Sequence, residues 1–353
     1  MIGLPDRTDV FVVGGGPAGL AAAIAARRRG LDVVVADQAI PPIDKACGEG
    51  VMPDGLSAAR AIGIDLECAG GHPFRGIRFY QGTQYVNADF PEGHAVGLRR
   101  TVLHPFLVDH AERTGVQLAW GVRTTGIDDE GVHVDGRFVR ARWIIGADGG
   151  RSMVRKWAGL DAFRRETLRY GFRRHYDIAP WSEFMEIHWG DACQFYITPV
   201  ARNSICIVLI SPDPHLRLNE ALPLFPELNR RLPASAVITH ERGAVSATRR
   251  LERVCSSRVA LVGDASGSVD AITGEGLCLL FQEAGAAADA MASGDLAGYE
   301  RAHRRISRRP RLMSKLMLLM AHRRGIRRGV IGAMAAHPPL FQRMLALHVG
   351  AVA

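Results

Sequence analysis

The sequence predicts an α/β protein: a parallel sheet covered by helices, interleaved with a mostly antiparallel sheet and followed by C-terminal helices. Three observations predict it. Val10–Val13 and Val33–Ala36 are short unbroken apolar runs, as expected of strands buried on both faces, and an alanine-rich stretch lies between them. Residues 76–80, 83–90, 169–178, 184–190, 193–200 and 204–210 instead alternate like half-exposed strands. After residue 299 the pattern is helical and strongly basic. The 353 residues, 47% hydrophobic and 23% charged, are of ordinary globular composition and leave room for two domains or one domain with a threaded lobe. The expected boundaries are 1–72, 99–160 and 249–300 for the parallel domain, 73–98 and 161–248 for the inserted lobe, and 301–353 for the C-terminal helical segment.

The first element carries the strongest signal. Val10–Val13 runs directly into Gly14-Gly15-Gly16-Pro17-Ala18-Gly19, then a predicted helix from Leu20 to Arg29 closed by Gly30, then Val33–Ala36 with Asp37 at its end. Gly14 permits a tight turn, Gly16 has no side chain to block a pyrophosphate, and Gly19 lets the helix pack close to the strand. The helix start offers free N–H groups and partial positive charge to phosphates. Asp37 lies where a carboxylate accepts hydrogen bonds from ribose hydroxyls. A glycine pattern alone is weak evidence, but strand, turn, helix, strand and acid in this order predict a Rossmann-like dinucleotide site.

Two further stretches follow, Ile144-Ile-Gly-Ala-Asp-Gly-Gly-Arg-Ser-Met-Val-Arg155 and Val259-Ala-Leu-Val-Gly-Asp-Ala-Ser-Gly-Ser-Val-Asp-Ala-Ile-Thr-Gly-Glu-Gly276. With these three motifs in order, the chain resembles the flavoprotein monooxygenase superfamily of p-hydroxybenzoate hydroxylase fold, which also holds geranylgeranyl reductases and flavin-dependent halogenases. The resemblance covers nearly the whole chain. It implies a Rossmann-like FAD-binding domain (GR2-type) with an interleaved, mostly antiparallel β-sheet lobe that binds substrate. It also implies FAD as cofactor and NAD(P)H as a transient reductant. Asp148 and Gly149, with Ser152 and Arg155 behind them, match the family's Asp-Gly segment near the pyrophosphate. Asp264 resembles the aspartate that meets the flavin ribityl chain. Gly274, Glu275 and Gly276 open a helix, roughly Leu277 to Met291, whose N–H groups would face the flavin edge that becomes anionic on reduction. Arg100, in Arg100-Thr-Val-Leu103, resembles the family arginine that reaches FAD phosphate or ribose, with Arg99 as its rival.

The chain also departs from the aromatic hydroxylases, which carry His and Pro where this sequence has Gly267 and Ala271. The Gly-Glu-Gly ending and Lys45-Ala-Cys47-Gly48-Glu49-Gly50 are closer to the reductase branch, and Lys45 and Gly48 are expected at the cofactor. The halogenase Trp-x-Trp-x-Ile-Pro segment is absent, and Phe195-Tyr-Ile-Thr-Pro199 lacks the tryptophan of the reductase segment it resembles. Substrate contacts are expected from Tyr176, His188, Phe195, Tyr196 and Pro199, with Trp181 and Trp189 nearby. Each of these side chains is equally at home in a core. Cys47 is the candidate catalytic residue: beside glycines and Lys45 its thiol can donate a proton, steer a substrate, or pack.

The net charge is +8, and residues 301–328 hold eleven Lys or Arg and no acid. Such a segment attracts phosphates, an acidic carrier protein or an anionic membrane surface. No nucleic-acid motif accompanies it, so nucleic acid is not an expected partner. Leu312–Ala321 is apolar with three methionines, and packing across the FAD domain is the simplest expectation for it. The six cysteines show neither pairs nor regular spacing, so no metal site and no disulfide framework is expected. With no signal segment and no membrane-length apolar run, the expected location is the cytoplasm, with membrane association through the basic segment left open. The resulting expectation is an NAD(P)H-dependent monooxygenase of secondary metabolism. It would hydroxylate a hydrophobic aromatic or polyketide-like molecule through a flavin C4a-hydroperoxide. The alternatives are a geranylgeranyl reductase-like enzyme acting on C=C bonds and, more remotely, a flavin-binding protein without catalysis.

Overall fold

The apolar runs assemble a parallel sheet at the centre of the molecule. The computed structural model describes residues 3–350. Val259–Leu261, Arg137–Gly146, Arg7–Val13, Val33–Asp37 and Gln117–Trp120 lie side by side in that order, all parallel. Cys255–Ser256 adds an antiparallel edge, and Thr124–Ile127 and Gly131–Val134 form a meander with the outer half of the Arg137–Gly146 strand. Val10, Phe11 and Val12 are fully buried, as expected of a central strand covered on both faces.

The helix Pro17–Arg28 follows the glycine turn and is buried along Leu20–Ala26. Its small side chains let it lie between the sheet and the long helix Gly276–Ser293, and against the helix Arg100–Arg113. Gly19 is the pinch point: a Cβ there would sit 1.8 Å from the Gly14 carbonyl oxygen.

The expected lobe forms one seven-stranded sheet. Its order is Arg242–Leu251, Phe163–Tyr176, Ser204–Ser211, Gln194–Ala201, Phe184–Trp189, Gly76–Gln81 and Gln84–Asp89. All neighbours are antiparallel except Phe184–Trp189 with Gly76–Gln81, where the two insertions meet. The Arg242–Leu251 strand is not among the expected ones, because its Arg-rich, Thr- and Gly-containing sequence lacks a clear apolar alternation. It carries the sheet past residue 248. The alternation predicts half-exposed strands, but Phe184–Trp189, Gln194–Val200 and Ser204–Ser211 are buried throughout. One face packs on a second core closed by Leu218, Leu222, Leu228 and Leu232. The other face joins the main core. A small sheet of Gly50–Val51, Ala95–Gly97 and His72–Phe74 links the two large ones.

Four helices end the chain: Leu296–Ile306, Arg308–His322, Arg324–Ala336 and Pro338–His348. Met313, Met317 and Met320 point inward, so the methionines serve packing. The last two helices pack on the Gly76–Asp89 hairpin, where the Phe341 and Phe79 ring centres are 4.6 Å apart. No helix among the described residues is long and apolar enough to cross a membrane.

The Gly19 contact gives a direct test. Gly19→Ala forces the helix off the sheet and is expected to destabilise the protein by about 2–3 kcal/mol, as overpacking does, read by urea denaturation. Gly30→Ala, where a Cβ meets nothing within 4 Å and only the positive φ is lost, is expected to lower stability by only about 1 kcal/mol.

Candidate functional site

A cleft of about 940 Å³ lies between the parallel sheet and the lobe, lined from both. Its first end is built by the glycine turn. Gly14 adopts φ +108° and passes Ala147 so closely that a Cβ would lie 2.5 Å from its carbonyl oxygen. Gly15 donates its N–H to Asp37 Oδ2 at 2.7 Å, and Asp37 Oδ1 accepts from Ala39 N–H at 2.8 Å. A Cβ on Gly16 would meet nothing nearer than Arg100 Nη2 at 4.0 Å, so this glycine opens onto the cleft. Pro17 and Ala18 begin the helix and line the same wall. Arg100 opens its own helix beside them. Its side chain is nearly buried, and its Nε has no hydrogen-bond partner among the described residues. Arg99 does not line the cleft. A guanidinium left without a partner beside a helix N-terminus and a bare glycine is what a pyrophosphate requires. His104, one turn after Arg100, bonds the Gly15 carbonyl through Nε2 at 2.9 Å. Burial, only partly offset by that carbonyl, holds its pKa below the ordinary value. The neutral ring can donate to the oxygen and brace the turn. Sequence reasoning missed this residue; its only signal was a histidine four residues after the arginine.

The second end is built by Gly263–Ser266 and the start of the Gly276–Ser293 helix. Asp264 pairs with Lys45, Oδ2 to Nζ at 2.6 Å, and both are half open to the cleft. Burial pushes the Asp264 carboxyl up, but Lys45 and then Arg100 and Arg249 outweigh it and keep it ionised. Gly274 takes φ +70°, and a Cβ on Gly276, which opens the helix, would meet nothing within 4 Å. The first turn of that helix lines the cleft and presents free N–H groups. Asp148 and Gly149 also line it, but the Asp148 carboxylate folds back to cap the short helix Met153–Trp157, accepting from Ser152 Oγ and the N–H groups of Met153 and Val154. Arg155 ties this turn to Gly150 and Ala265 through their carbonyls.

The segment 43–50, which carries Lys45 and Cys47, is clamped by the lobe. Glu49 has φ +60° and is buried. Its Oε1 accepts from the Arg100 backbone N–H at 2.9 Å and from Arg173 Nη1 at 3.0 Å, and Oε2 meets His175 Nε2 at 2.7 Å. Arg173 also grips Asp44 with both terminal nitrogens at 2.9 Å. Thr239 Oγ1 accepts the His175 backbone N–H and bonds its Nδ1. Sequence reasoning missed Glu49 as well, because its partners lie 124 and 126 positions away and leave no local signal. The Cys47 thiol lines the cleft and accepts the Glu49 N–H. Burial raises its pKa, so it is a thiol rather than a thiolate at neutral pH.

Several expected contacts lie elsewhere. Tyr196 lines the cleft and donates its hydroxyl to Ile272 O at 2.7 Å. Phe195 and Pro199 do not line it, because neighbours on a strand point to opposite faces. Phe195 packs with Tyr176 in the second core, edge-on to Phe225. Thr198, not Pro199, shares the face of Tyr196. His188 stacks on Tyr80 and bonds Glu186. Glu275 also departs from expectation. As the residue before the helix it turns its side chain away from the cleft, into a buried cluster with Asp54, Arg309 and His348. Gly48 lines the cleft with open space around it.

Two measurements follow from this geometry. Glu49→Ala strips the acceptor from the Arg100 N–H, His175 and one side of Arg173. It is expected to lower stability by about 3 kcal/mol, read by urea denaturation, with segment 43–50 becoming open to limited proteolysis. Glu275 sets a pH dependence. Burial, then Asp54, push its carboxyl up from an ordinary 4.5 to about 8, while burial and Arg309 hold His348 down to about 4. A carboxyl raised on folding stabilises fully below its unfolded value, and that stability is lost as pH rises through the folded one. His348, held down on folding, adds stability as pH rises from about 4 to 6.5 and offsets Glu275 over that range, so the net fall is expected from about pH 6.5 to pH 8, and Glu275→Gln is expected to remove it in denaturation curves taken across that range.

Comparison with known proteins agrees with the site. The family described as FAD binding domain matches residues 7–294. The digeranylgeranylglycerophospholipid reductase of Methanosarcina acetivorans is 30% identical, over 83% of this chain and 78% of its own. The rifampicin monooxygenase of Streptomyces venezuelae is 28% identical, over 78% of this chain and 62% of its own. The crystal structure of a p-nitrophenol 4-monooxygenase from Pseudomonas putida shares the fold with a TM-score of 0.83, at 16% identity over 97% of each chain. With a bare glycine turn, a partnerless arginine and two helix starts facing one cleft, the chain belongs to the FAD-binding family and is an FAD-dependent oxidoreductase of p-hydroxybenzoate hydroxylase fold.

Proposed function

We propose that the protein is a single-component monooxygenase that takes NAD(P)H as a transient reductant and hydroxylates a hydrophobic aromatic or polyketide-like small molecule. The observation that carries this reading is that the carboxylates on the cleft wall are engaged: Asp37 with backbone amides, Asp264 with Lys45, and Glu49 with Arg173 and His175. Among the described residues that line the cleft no carboxylate stands free to act as a nucleophile, so in this reading the redox group carries the chemistry and the protein supplies orientation and exclusion of water. Bound FAD supplies hydride acceptance and activation of oxygen.

In this reading Gly14, Gly16, Pro17, Ala18, Gly19 and Arg100 hold the pyrophosphate, and Asp37 holds the adenosine ribose. Asp264 and Lys45 meet the ribityl chain, with Asp148 and Gly149 shaping the turn beside it. Gly48, Gly274 and Gly276 bring backbone close to the ring, where helix N–H groups stabilise negative charge. Met185, Val208, Ile210 and Tyr196 give the lobe side of the cleft an apolar surface for the substrate. The inserted sheet is thus the substrate lobe, and residues 1–72, 99–160 and 249–300 the FAD domain.

A second reading, reduction of an isoprenoid or other C=C bond, is favoured by Cys47. A thiol kept protonated by burial at the cleft wall can give a proton to the carbon next to the one that accepts hydride, where the electron pair of the double bond is left. The 30% identical relative is named as a reductase.

Oxygen and NAD(P)H consumption, followed together across phenols and prenyl lipids, tests the choice. Hydroxylation is expected to consume the two in equal amounts, stimulated by substrate, and to stop without oxygen. Cys47→Ser is then expected to leave the rate within about threefold, whereas loss of a general acid costs on the order of 10²-fold or more. Turnover undiminished under anaerobic conditions, and lost in Cys47→Ser, would overturn hydroxylation in favour of double-bond reduction. Gly16→Val adds bulk only to the open cleft. It is expected to weaken FAD binding at least about tenfold while the apoprotein unfolds as wild type does.

A further inference from the structure

The outward face of the Arg308–His322 helix is apolar where a surface helix is ordinarily polar. Met313, Met317 and Met320 already bury its inner face. Leu312, Leu316 and Leu319 are 51%, 43% and 45% exposed and recur at the spacing that stacks side chains in one row. Ile326, 41% exposed, lies on the next helix. A helix with two apolar faces has a second partner to meet.

The charge around the row says what kind. Arg301, Arg304, Arg309, Arg324 and Arg327 are paired with acids of this chain. Arg305, Arg308, Lys315, Arg323 and Arg328 are exposed and have no acidic partner among the described residues. Lys315 lies within the row and Arg308 one turn before Leu312. A second copy of the chain meeting this face by two-fold symmetry would set these cations against each other. A membrane with anionic headgroups matches both features: the cations meet phosphate while the leucines enter the acyl boundary. The leucines project from the convex surface of a helix, which favours a bilayer over an acidic protein. The same helix packs against the Ala271–Thr273 turn, which lines the flavin cleft.

We propose that the Leu312–Leu316–Leu319 row with Arg308 and Lys315 is a docking face that seats the enzyme on an anionic membrane surface. This names a partner for the enzyme proposed above, but rests on the surface and not on which reaction is catalysed. The test is sedimentation of the flavin-loaded protein with sucrose-filled vesicles of phosphatidylcholine, with and without phosphatidylglycerol. Pelleting is expected only with phosphatidylglycerol, and is expected to fall at least about tenfold in Arg308→Glu/Lys315→Glu and in Leu312→Asp/Leu316→Asp. All four positions are exposed, so both variants are expected to keep wild-type flavin content and thermal unfolding. Retained flavin with lost pelleting thus separates this surface from the redox site. Three results would overturn the proposal: no pelleting of wild type with phosphatidylglycerol, pelleting unchanged in the leucine variant, or a wild-type dimer by light scattering that the leucine variant dissociates.

Discussion

Two helix starts aimed into one cleft set the constraint on which the rest of the structure depends. One begins at Gly16–Pro17 and the other at Gly276, and each leaves N–H groups that its own helix cannot satisfy. Among the described residues no carboxylate bonds the free N–H groups of either helix start inside the cleft. Arg100 deepens the positive field and is itself without a partner at Nε. An apoprotein holding these groups together stores an unmet demand for negative charge, which an elongated anion with a reducible ring relieves. Glycines are required along this path for two different reasons. At Gly14 and Gly19 neighbouring backbone leaves no room for a side chain, whereas at Gly16 and Gly276 the room belongs to the ligand.

The lobe is coupled to this arrangement through Glu49. Its carboxylate caps the Arg100 helix while it is gripped by Arg173 and His175 from the lobe. The strained backbone at this residue persists because three partners hold it. A single buried side chain thus sets the distance between the pyrophosphate arginine, the Cys47 segment and the sheet that faces the substrate. The relative placement of cofactor and substrate surfaces is fixed by polar contacts between distant parts of the chain, and apolar packing fills in around them.

What the sequence made legible follows from the range of each interaction. The glycine turn, its flanking strands and Asp37 interact within about thirty residues, so their order along the chain was enough. Six of the seven lobe strands were readable from their alternation, but the Arg242–Leu251 strand and the burial of the sheet were not, because the second core and the C-terminal helices that cover it come from elsewhere. The parity of a strand decides which neighbour faces the cleft, and without the register Phe195 and Tyr196 looked equivalent. Glu275 looked like a cofactor contact because it sits between two glycines that line the cleft. Its own side chain leaves in the opposite direction and meets Asp54, Arg309 and His348. The Glu49 clamp joins residues more than a hundred positions apart and left no trace that spacing alone could reveal. The methionines of the tail were visible as an apolar stretch, but only packing showed that the leucines, not the methionines, face outward.

The central claim is that folded protein grips one FAD through these two helix starts. Titration of FAD into the folded apoprotein, followed by flavin absorbance and fluorescence, tests it most directly. The account predicts saturation at one flavin per chain, with a structured and shifted visible band and quenched emission as the ring enters the cleft. A folded protein that leaves the flavin spectrum and emission unchanged at saturating concentrations would contradict it.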